Sequence, residues 1–381
     1  MTGPSPPGRP GRKGLERPQD LRWGFSTGSA ATAAALGAAM FLRDGRPPDQ
    51  VEIALPQGRR LAIGLSEAST GPGGAARVVV VKDAGDDPDV TNGARIAVTL
   101  RPSPRAGLEI SGGQGVGRVT RPGLVLAVGQ WAVNPVPRSM LGENLAPFMA
   151  DGQGLEAAIS IEDGERLALR TLNPRLGIVG GLSILGTTGL VKPFSHRAYV
   201  ATIDNALSVA RAGGSREVVL ATGRRSEALA RQARPDLPEE AFVQIADFFR
   251  AGLELATRHG FEAIGLAEFF GKAVKQAAGF PYTHAHHNDM DLGTLAGWLD
   301  GLGPEPLGLI ASAPTALAAL EVLKEFRALD MVPIVAGKVL ASARGFAGPG
   351  PLIWVSVFDF DGHLLAHGQD PGRPLPRRGP L

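Results

Sequence analysis

The sequence contains no cysteine, and this absence excludes disulfides, thiolate metal sites and a cysteine nucleophile. Long apolar runs are also missing. The longest are Ala30–Leu42 and Leu307–Leu323, and both fall short of the roughly 20 apolar residues that span a bilayer. The first residues lack the apolar core of a secretory signal. We therefore expect a cytoplasmic protein with no membrane segment.

A strong charge of either sign is missing as well, because the formal net charge of the chain is only +2. Residues 1–20 carry four basic and two acidic side chains, and residues 370–381 carry three basic and one acidic. Both tails are rich in proline, glycine and arginine, so we expect them to be disordered. No basic stripe with interleaved aromatic residues occurs between them, and the sequence does not predict nucleic-acid binding.

Glycine is abundant instead, with 52 residues in a chain of 381. This is about twice the average share. No G-X-Y period accounts for it, so we expect many tight turns and close backbone approaches within folded segments. The length suits two domains.

Residues 21–170 predict an α+β domain with more strand than helix. Ser26 precedes an alanine-rich run and predicts an N-capped helix that ends at Asp44-Gly45. Two apolar runs around Pro56-Gln57-Gly58 predict a hairpin. Further predicted elements are strands at Ala76–Lys82, Ala94–Leu100, Leu124–Val128 and Leu155–Ile161, and a short helix at Pro137–Phe148.

Residues 171–369 change to an alternation of strand and helix, which is typical of a mainly parallel sheet with helices on its faces. We predict a Rossmann-like α/β domain here, which makes the whole chain α/β in class. The predicted strands are Gly177–Leu185, Glu217–Ala221, Phe242–Ile245, Ala263–Leu266 and a closing hairpin of Leu352–Phe358 with His363–Ala366.

The glycine-rich segment Thr171–Ser195 is the first candidate for chemistry. A βα junction rich in glycine and threonine offers backbone N–H groups and hydroxyls to an anionic ligand. Its spacing matches neither a P-loop nor G-x-G-x-x-G. The alternative is tight packing that requires small residues, and the spacing alone leaves both interpretations open.

The second candidate is the acidic loop Lys82–Gly93, which holds Asp83, Asp86, Asp87 and Asp89. Like charges this close repel unless cations, N–H donors or a substrate satisfy them. The spacing does not fit an EF-hand, and a solvated acidic loop is the alternative. An aspartate with a raised pKa would be a candidate general base.

The third candidate is the histidine-rich segment Thr283–Asp291, which contains His284, His286 and His287. Without H-E-x-x-H spacing, a loop with one functional side chain is favoured over a closed metal site, and we predict no bound metal. Upstream, Glu268 and Lys272 flank a strand-to-helix turn, where ligands bind in open parallel sheets.

Long segments of the chain resemble the CbiD family. The resemblance rests on LRWGFSTGSAATAAA from residue 21, KDAGDDPDVTNG, GQGVGRVTRPGL, WAVNPVPR and TLNPRLGIVGGLSILGTTGLVKPFS, and more loosely on GKAVKQAAGFPYTHAHHND. It implies an α+β domain, a Rossmann-like domain and S-adenosylmethionine-dependent C1 methylation of cobalt-precorrin-5B. Relatives often have cysteine in place of Ala30 and asparagine in place of Asp247.

The resemblance implies a corrinoid substrate with several carboxylate arms, and it is compatible with a homo-oligomer. Our site hypotheses are Asp87 and His284 for catalysis, Gly186, Thr187, Thr188 and Glu268 for the methyl donor, and Asp83, Asp86, Arg175, Lys192, Ser26 and Thr27 for the substrate. Alternatives are a non-catalytic tetrapyrrole carrier, a phosphate-binding transferase, or methylation of a cobalt-free precorrin.

Overall fold

The computed structural model describes residues 21–149, 154–284 and 291–371. These residues form two compact units. The first unit comprises 21–119 with Gly129–Pro174 and Ile178–Ser195, and the second comprises Thr120–Val128, Arg175–Gly177 and the described part of the chain from His196 onward. The tails that we predict to be disordered lie outside the described residues, apart from positions 370 and 371.

The first unit is rich in strands. Among its described residues, the elements in chain order are β1 (Gly24–Phe25), α1 (Thr27–Asp44), β2 (Gln50–Ala54), β3 (Arg60–Gly64), β4 (Glu67–Thr70), β5 (Ala76–Val81), β6 (Arg95–Ser103), β7 (Gly107–Gly112), β8 (Gly115–Val116), β9 (Arg118–Val119), α2 (Pro135–Leu145), β10 (Gly154–Ile161), α3 (Gly164–Ala168), β11 (Ile178–Val179), β12 (Gly181–Leu182) and β13 (Leu190–Val191). The main sheet has the order β4-β5-β6-β10-β7, and only its β10–β7 pair is parallel.

Helix α1 forms the centre of the first unit. Its seven alanines between Ala30 and Ala39 are all buried, so the helix is covered on every side. Small side chains let it lie close to β5 and β6. As predicted, Ser26 caps its start, and Gly45 ends it with a φ of 72°, a conformation that favours glycine.

The second unit has the alternating pattern that the sequence predicts. Its described elements are α4 (His196–Ala212), β14 (Glu217–Ala221), α5 (Arg224–Ala233), β15 (Phe242–Gln244), α6 (Phe249–Arg258), β16 (Ala263–Phe269), α7 (Phe270–Ala277), α8 (Leu292–Trp298), α9 (Pro304–Ala311), α10 (Ala316–Glu325), α11 (Val332–Ala347), β17 (Leu352–Phe358) and β18 (Leu364–Gln369). The sheet order is β15-β14-β16-β17-β18, with only the β17–β18 pair antiparallel. The predicted α/β fold class is confirmed.

The faces of this sheet carry different helices. Alternate residues of β14, such as Val218 and Leu220, belong to the apolar core that contains α4, α6, α7 and α11. Val219 and Ala221 point to the other face, where they pack with Ala230 of α5. The chain therefore leaves β14 toward one face and reaches β16 from the other, so the strand order reverses at the β14–β16 pair.

Two strand predictions are wrong. Leu124–Val128 forms bends instead of a strand. The preceding residue, Gly123, has a φ of 105° and packs on α4. Its carbonyl accepts a hydrogen bond of 2.6 Å from the Ser208 hydroxyl of that helix. Gly177–Leu185 is not one buried strand but the short pieces β11 and β12, because Gly180 between them has a φ of 83°.

The predicted domain boundary at residue 171 assigns the glycine-rich segment to the second domain, but the structure divides the chain differently. Most of this segment, Ile178–Ser195, packs within the first unit. The physical reason is strand pairing: β11 pairs with β9, β12 with β8 and β13 with β1. Among the described residues, no helix combines the length and the apolar character needed to cross a membrane.

Candidate functional site

The acidic loop of the first unit is held by internal partners. Asp83 pairs with the Arg22 guanidinium and accepts a hydrogen bond of 2.8 Å from the Gly85 N–H. The bond from Arg22, followed by the one from Gly85, lowers the pKa of Asp83. Asp86 accepts a hydrogen bond from the backbone N–H of Arg22. One arginine thus satisfies two of the four carboxylates.

A buried lysine satisfies a third. Lys82 is 2% exposed, and its ammonium lies 2.7 Å from Asp89 Oδ2. Asp89 also accepts hydrogen bonds of 2.7 Å from the backbone N–H and the hydroxyl of Thr91. Burial raises the pKa of Asp89, but the charge of Lys82 and these hydrogen bonds outweigh it, so the net shift is downward. Side chains of the protein itself therefore supply the cations that offset the repulsion between these aspartates.

Asp87 differs from the other three. It is half-buried, and its Oδ1 accepts a hydrogen bond of 3.0 Å from the backbone N–H of Phe194. Phe194 has a φ of 53°, in the left-handed region that a bulky residue rarely occupies. The acidic loop is thereby joined to the end of the glycine-rich segment, and strain of this kind is common at functional sites.

Ser26 and Thr27 are buried, and their hydroxyls bond within the protein. Ser26 Oγ accepts a hydrogen bond of 3.1 Å from the Ser29 N–H. Thr27 Oγ1 accepts one of 2.9 Å from the Leu185 N–H and donates one of 3.0 Å to the Ser183 carbonyl. Both side chains are predicted to bind substrate. Ser26 instead caps α1, and Thr27 joins the start of this helix to the glycine-rich segment.

The glycine-rich turn combines close packing with exposed hydroxyls. A Cβ at Gly186 would collide with the side chain of Ser26, and one at Gly189 would lie 2.6 Å from Leu55 Cδ2. Thr187 and Thr188 between them are exposed. The packing interpretation therefore accounts for the glycines, whereas the threonines stay available to a ligand.

Two further parts of the first unit could meet a ligand. Lys192 is exposed, with its ammonium 5.9 Å from the centre of the Trp23 ring. A cavity of about 560 Å³ lies beside α3, lined by Gln114, Gly115, Ile161, Asp163 and neighbouring residues up to Gly181. None of the predicted site residues lines this cavity.

In the second unit, polar side chains gather where the parallel strands end. Asp247 follows β15, and its carboxylate accepts hydrogen bonds from the Lys272 ammonium and, at 3.1 Å, from the Thr283 hydroxyl. The Thr283 N–H also bonds to the Asp247 carbonyl at 3.0 Å. Ala246 before it has a φ of 47°, so the backbone is strained at this edge of the sheet.

Glu268, near the end of β16, is fully buried. Neither of its carboxyl oxygens has a hydrogen-bond partner among the described residues. Burial raises the pKa of Glu268 well above its usual value, and the charge of Lys272 opposes this only in part. Burial therefore favours the protonated form of the carboxyl group, and such an unsatisfied buried group requires an explanation.

His284 lies in an aromatic cluster at the same edge. Its ring stacks on Tyr282 with centroids 6.0 Å apart, and the Tyr282 hydroxyl is 3.2 Å from His196 Nε2. Phe248 completes the cluster, 5.0 Å from Tyr282 and 5.1 Å from Tyr199. His286 and His287 lie outside the described residues.

Arg175, the second cation predicted to bind substrate, has partners of its own. Its guanidinium makes two hydrogen bonds of 2.8 and 3.0 Å to the buried Glu227 carboxylate and also donates to the Phe242 carbonyl. These contacts fasten a short segment of the second unit to α5 and β15.

A group with metal-ligand chemistry occurs at the β17–β18 turn. Ligand atoms of Asp359, Asp361 and His363 lie within 4.8 Å of one another. Asp359 accepts hydrogen bonds from the N–H groups of Asp361 and His363, and the Lys324 ammonium is 3.5 Å from its Oδ2. These contacts explain the cluster as a turn that a neighbouring cation stabilises.

The sequence patterns did not predict the roles of Arg22, Lys82, Asp247 or the aromatic cluster. Asp247 had a usable signal, because it comes directly after a predicted parallel strand. The partners of Arg22 and Lys82 depend on how the acidic loop folds back, and spacing does not reveal this.

We predict that Thr27→Val destabilises the protein by about 1–3 kcal/mol, because the buried hydroxyl is lost and the Leu185 N–H and the Ser183 carbonyl lose their partner. Denaturant unfolding measures the change. Thr188→Val is the matched control, since the hydroxyl of this exposed threonine bonds, among the described residues, to nearby Leu190 within the same turn, at 3.3 Å. Equal effects of the two substitutions would contradict the packing role of Thr27.

A second prediction concerns Glu268→Gln. The pKa of Glu268 is raised in the fold, whereas the unfolded chain ionises this group above about pH 4.3, so the wild type loses stability as pH rises from that value toward the raised pKa. Glutamine does not titrate. The thermal midpoint of the variant should therefore rise relative to that of the wild type as pH increases above about 4.3.

The matched control is Glu262→Gln, at the other end of β16, where the exposed glutamate pairs with Arg216. This variant should gain no stability over wild type across the same pH range. If the difference in thermal midpoint between Glu268→Gln and the wild type stays constant with pH, Glu268 is ionised in the fold.

Comparison with known proteins gives the family. The CbiD family model matches residues 15–193, and the model of the CbiD C-terminal domain matches residues 282–369. A protein of Nitratidesulfovibrio vulgaris named cobalt-precorrin-5B C(1)-methyltransferase is 44% identical over 362 residues, which cover 91% of this chain and 92% of the relative. A Pseudomonas aeruginosa protein of the same name is 42% identical over 355 residues, covering 92% and 96%.

A crystal structure of a cobalamin biosynthesis protein (cbiD) from Archaeoglobus fulgidus is 28% identical to this chain. The match covers 67% of this chain and 79% of that one, with a TM-score of 0.37. The family models and the extended identity to the two bacterial relatives agree, and the chain belongs to the CbiD family.

Proposed function

We propose that this protein methylates C1 of cobalt-precorrin-5B to give cobalt-precorrin-6A during the biosynthesis of the corrin ring. The observation that carries this conclusion is the 44% identity to a cobalt-precorrin-5B C(1)-methyltransferase over more than nine-tenths of both chains. Identity of this extent includes both compact units, so neither half of the enzyme is missing from the comparison.

We infer that the methyl donor is S-adenosylmethionine. When bound, it supplies a methyl group activated by a sulfonium centre. The donor also carries hydroxyl and amino groups that require hydrogen-bond acceptors, and the unpartnered oxygens of Glu268 fit this requirement. The exposed Thr187 and Thr188 hydroxyls remain a second proposal for donor contacts.

The substrate of this reaction carries several carboxylate arms, which favour cationic partners. Lys192 is exposed and suits such a role directly. Arg175 would have to exchange part of its pairing with Glu227 for a substrate carboxylate, which makes it the weaker of the two proposals. Asp83 and Asp86 serve the substrate only indirectly, because both bond to Arg22 and shape the acidic loop.

A base is needed if a proton leaves the ring during methylation. Asp87 and His284 are our two proposals. Asp87 is half-buried and oriented by the Phe194 N–H, and His284 stacks on Tyr282. A carboxylate held by a single backbone N–H keeps accepting capacity for a second proton donor, so we favour Asp87.

The test of the function is transfer of a labelled methyl group. The full chain is incubated with cobalt-precorrin-5B and S-adenosylmethionine whose methyl group carries an isotope. Mass spectrometry should show a corrinoid product heavier by one labelled methyl group. Binding of the corrinoid without transfer of label would overturn the proposed activity and favour a carrier.

We predict that Asp87→Asn lowers the turnover number by a factor of about 10² or more, because removal of a positioned base typically costs 10²–10⁴. Asparagine still accepts the hydrogen bond from Phe194, so the thermal midpoint should change little. Asp44→Asn, an exposed position in the same unit, is the control. Full turnover by Asp87→Asn would remove this residue from catalysis.

A further inference from the structure

The sheet of the second unit reverses its strand order between β14 and β16. The connection after β14 runs through α5 on one face, and α7, the helix that follows β16, lies on the other. The loops that follow β14 and β16 therefore diverge to opposite faces. In open parallel sheets, a crevice at such a point is the usual place for a small-molecule ligand.

On the β14 side of this crevice, the backbone carries no side chain at Gly223. Gly223 follows β14 in an extended conformation, with a φ of 176° that any residue can adopt. A Cβ built at Gly223 would meet no described atom within 4 Å. Steric packing within the described residues therefore does not explain a glycine here, whereas close approach of a ligand would.

The β16 side of the crevice holds the unpartnered carboxyl group. Ala221 pairs with Ala267, and the Thr222 N–H bonds to the Ala267 carbonyl at 3.2 Å, so Glu268 is level with Thr222 at the end of the strand pair. The Glu268 carboxyl is fully buried and has no partner among the described residues. A ligand that donates a hydrogen bond would satisfy it.

The surroundings of the crevice on the β17 side are aromatic. Phe269, at the end of β16, stacks on Phe360 with ring centres 4.9 Å apart and planes 11° from parallel. Phe360 is 48% exposed, and the Arg225 guanidinium lies 5.5 Å from the Phe269 ring centre. Phe269 packs on the α5 face of the sheet, and successive residues of a strand point to opposite faces, so Glu268 points to the other face. A nucleoside that lies across the ends of the strands would meet the flat apolar surface with its base and the carboxyl group with a hydroxyl or amino group.

We propose that the adenosyl part of the methyl donor binds in this crevice, with Gly223 at its mouth and Glu268 accepting a hydrogen bond from the ligand. This inference rests on the proposed function, and it assigns the donor to the second unit. A phosphate group carries only acceptor oxygens near neutral pH, so it would leave the Glu268 oxygens without the hydrogen-bond donor that they lack among the described residues. The site should therefore accept an adenosyl sulfonium or thioether and reject adenosine diphosphate.

The experiment measures binding of S-adenosylhomocysteine to the full chain by isothermal titration calorimetry. Gly223→Leu fills the mouth of the crevice, and Glu268→Met replaces the carboxyl group with an apolar side chain of similar length. Each should raise the dissociation constant at least tenfold. Gly223→Leu occupies the space of the ligand, and Glu268→Met removes a buried hydrogen bond worth about 1.4 kcal/mol, which corresponds to a factor of ten. Adenosine diphosphate should not compete.

Matched controls separate the site from general damage. Gly337→Leu places the same side chain at an exposed position of α11, at a glycine that likewise has no described atom within 4 Å of a built Cβ. Glu262→Gln changes an exposed glutamate. Both should bind S-adenosylhomocysteine within twofold of wild type. If Glu268→Met fails to fold, Gly223→Leu still tests the site, because its side chain enters open space.

The outcomes distinguish this inference from the proposed function. If wild type transfers the methyl group and both Gly223→Leu and Glu268→Met bind S-adenosylhomocysteine within twofold of wild type, the crevice is not the donor site although the function stands. Failure of wild type to bind S-adenosylhomocysteine also overturns the inference. If binding weakens as expected but wild type transfers no methyl group to the corrinoid, the proposed function fails and the adenosyl site remains.

Discussion

The first unit depends on a hydrogen-bonded junction between the start of α1 and the glycine-rich segment. Thr27 bonds to Ser183 and Leu185, and the Ser29 hydroxyl donates a hydrogen bond of 2.6 Å to the Gly189 carbonyl. These buried groups would be costly if unpaired, so the junction fixes the path of the segment over the helix. The glycines at 186 and 189 leave room for it. The same segment then reaches the acidic loop through Phe194 and Asp87.

The two units treat their acidic side chains in opposite ways. In the acidic loop, Arg22 and Lys82 neutralise carboxylates, and the pKa values of Asp83 and Asp89 are lowered as a result. In the second unit, Glu268 is buried with no hydrogen-bond partner in the described part of the chain, and its pKa is raised. A satisfied cluster stabilises a loop, whereas an unsatisfied buried group costs stability and is retained where a ligand can use it. This contrast is why the donor is assigned to the second unit and the acidic loop is treated as a preorganised support for Asp87.

Much of the fold was predictable because local rules and tertiary packing agree. The cap at Ser26, the αL glycine at Gly45 and the strand Glu217–Ala221 all occur where the sequence predicts them. The errors arise where glycine changes the backbone direction. Around Gly123 and Gly180, apolar residues that resemble a strand are turned away by positive φ values. A run of apolar residues becomes a strand only if another strand pairs with it, and apolar character alone does not reveal that partner.

The sequence by itself determined the α/β class, the family and the residue types available for chemistry, because periodicity, capping residues and long motifs are local properties of the chain. Only the tertiary structure decided what those residues do. Ser26, Thr27 and Arg175 form internal hydrogen bonds, whereas Glu268 is buried and forms none with the residues that the structure describes. Burial and the identity of a hydrogen-bond partner depend on segments far apart in the chain. For that reason, the difference between a packing residue and a binding residue appears only once the chain has folded.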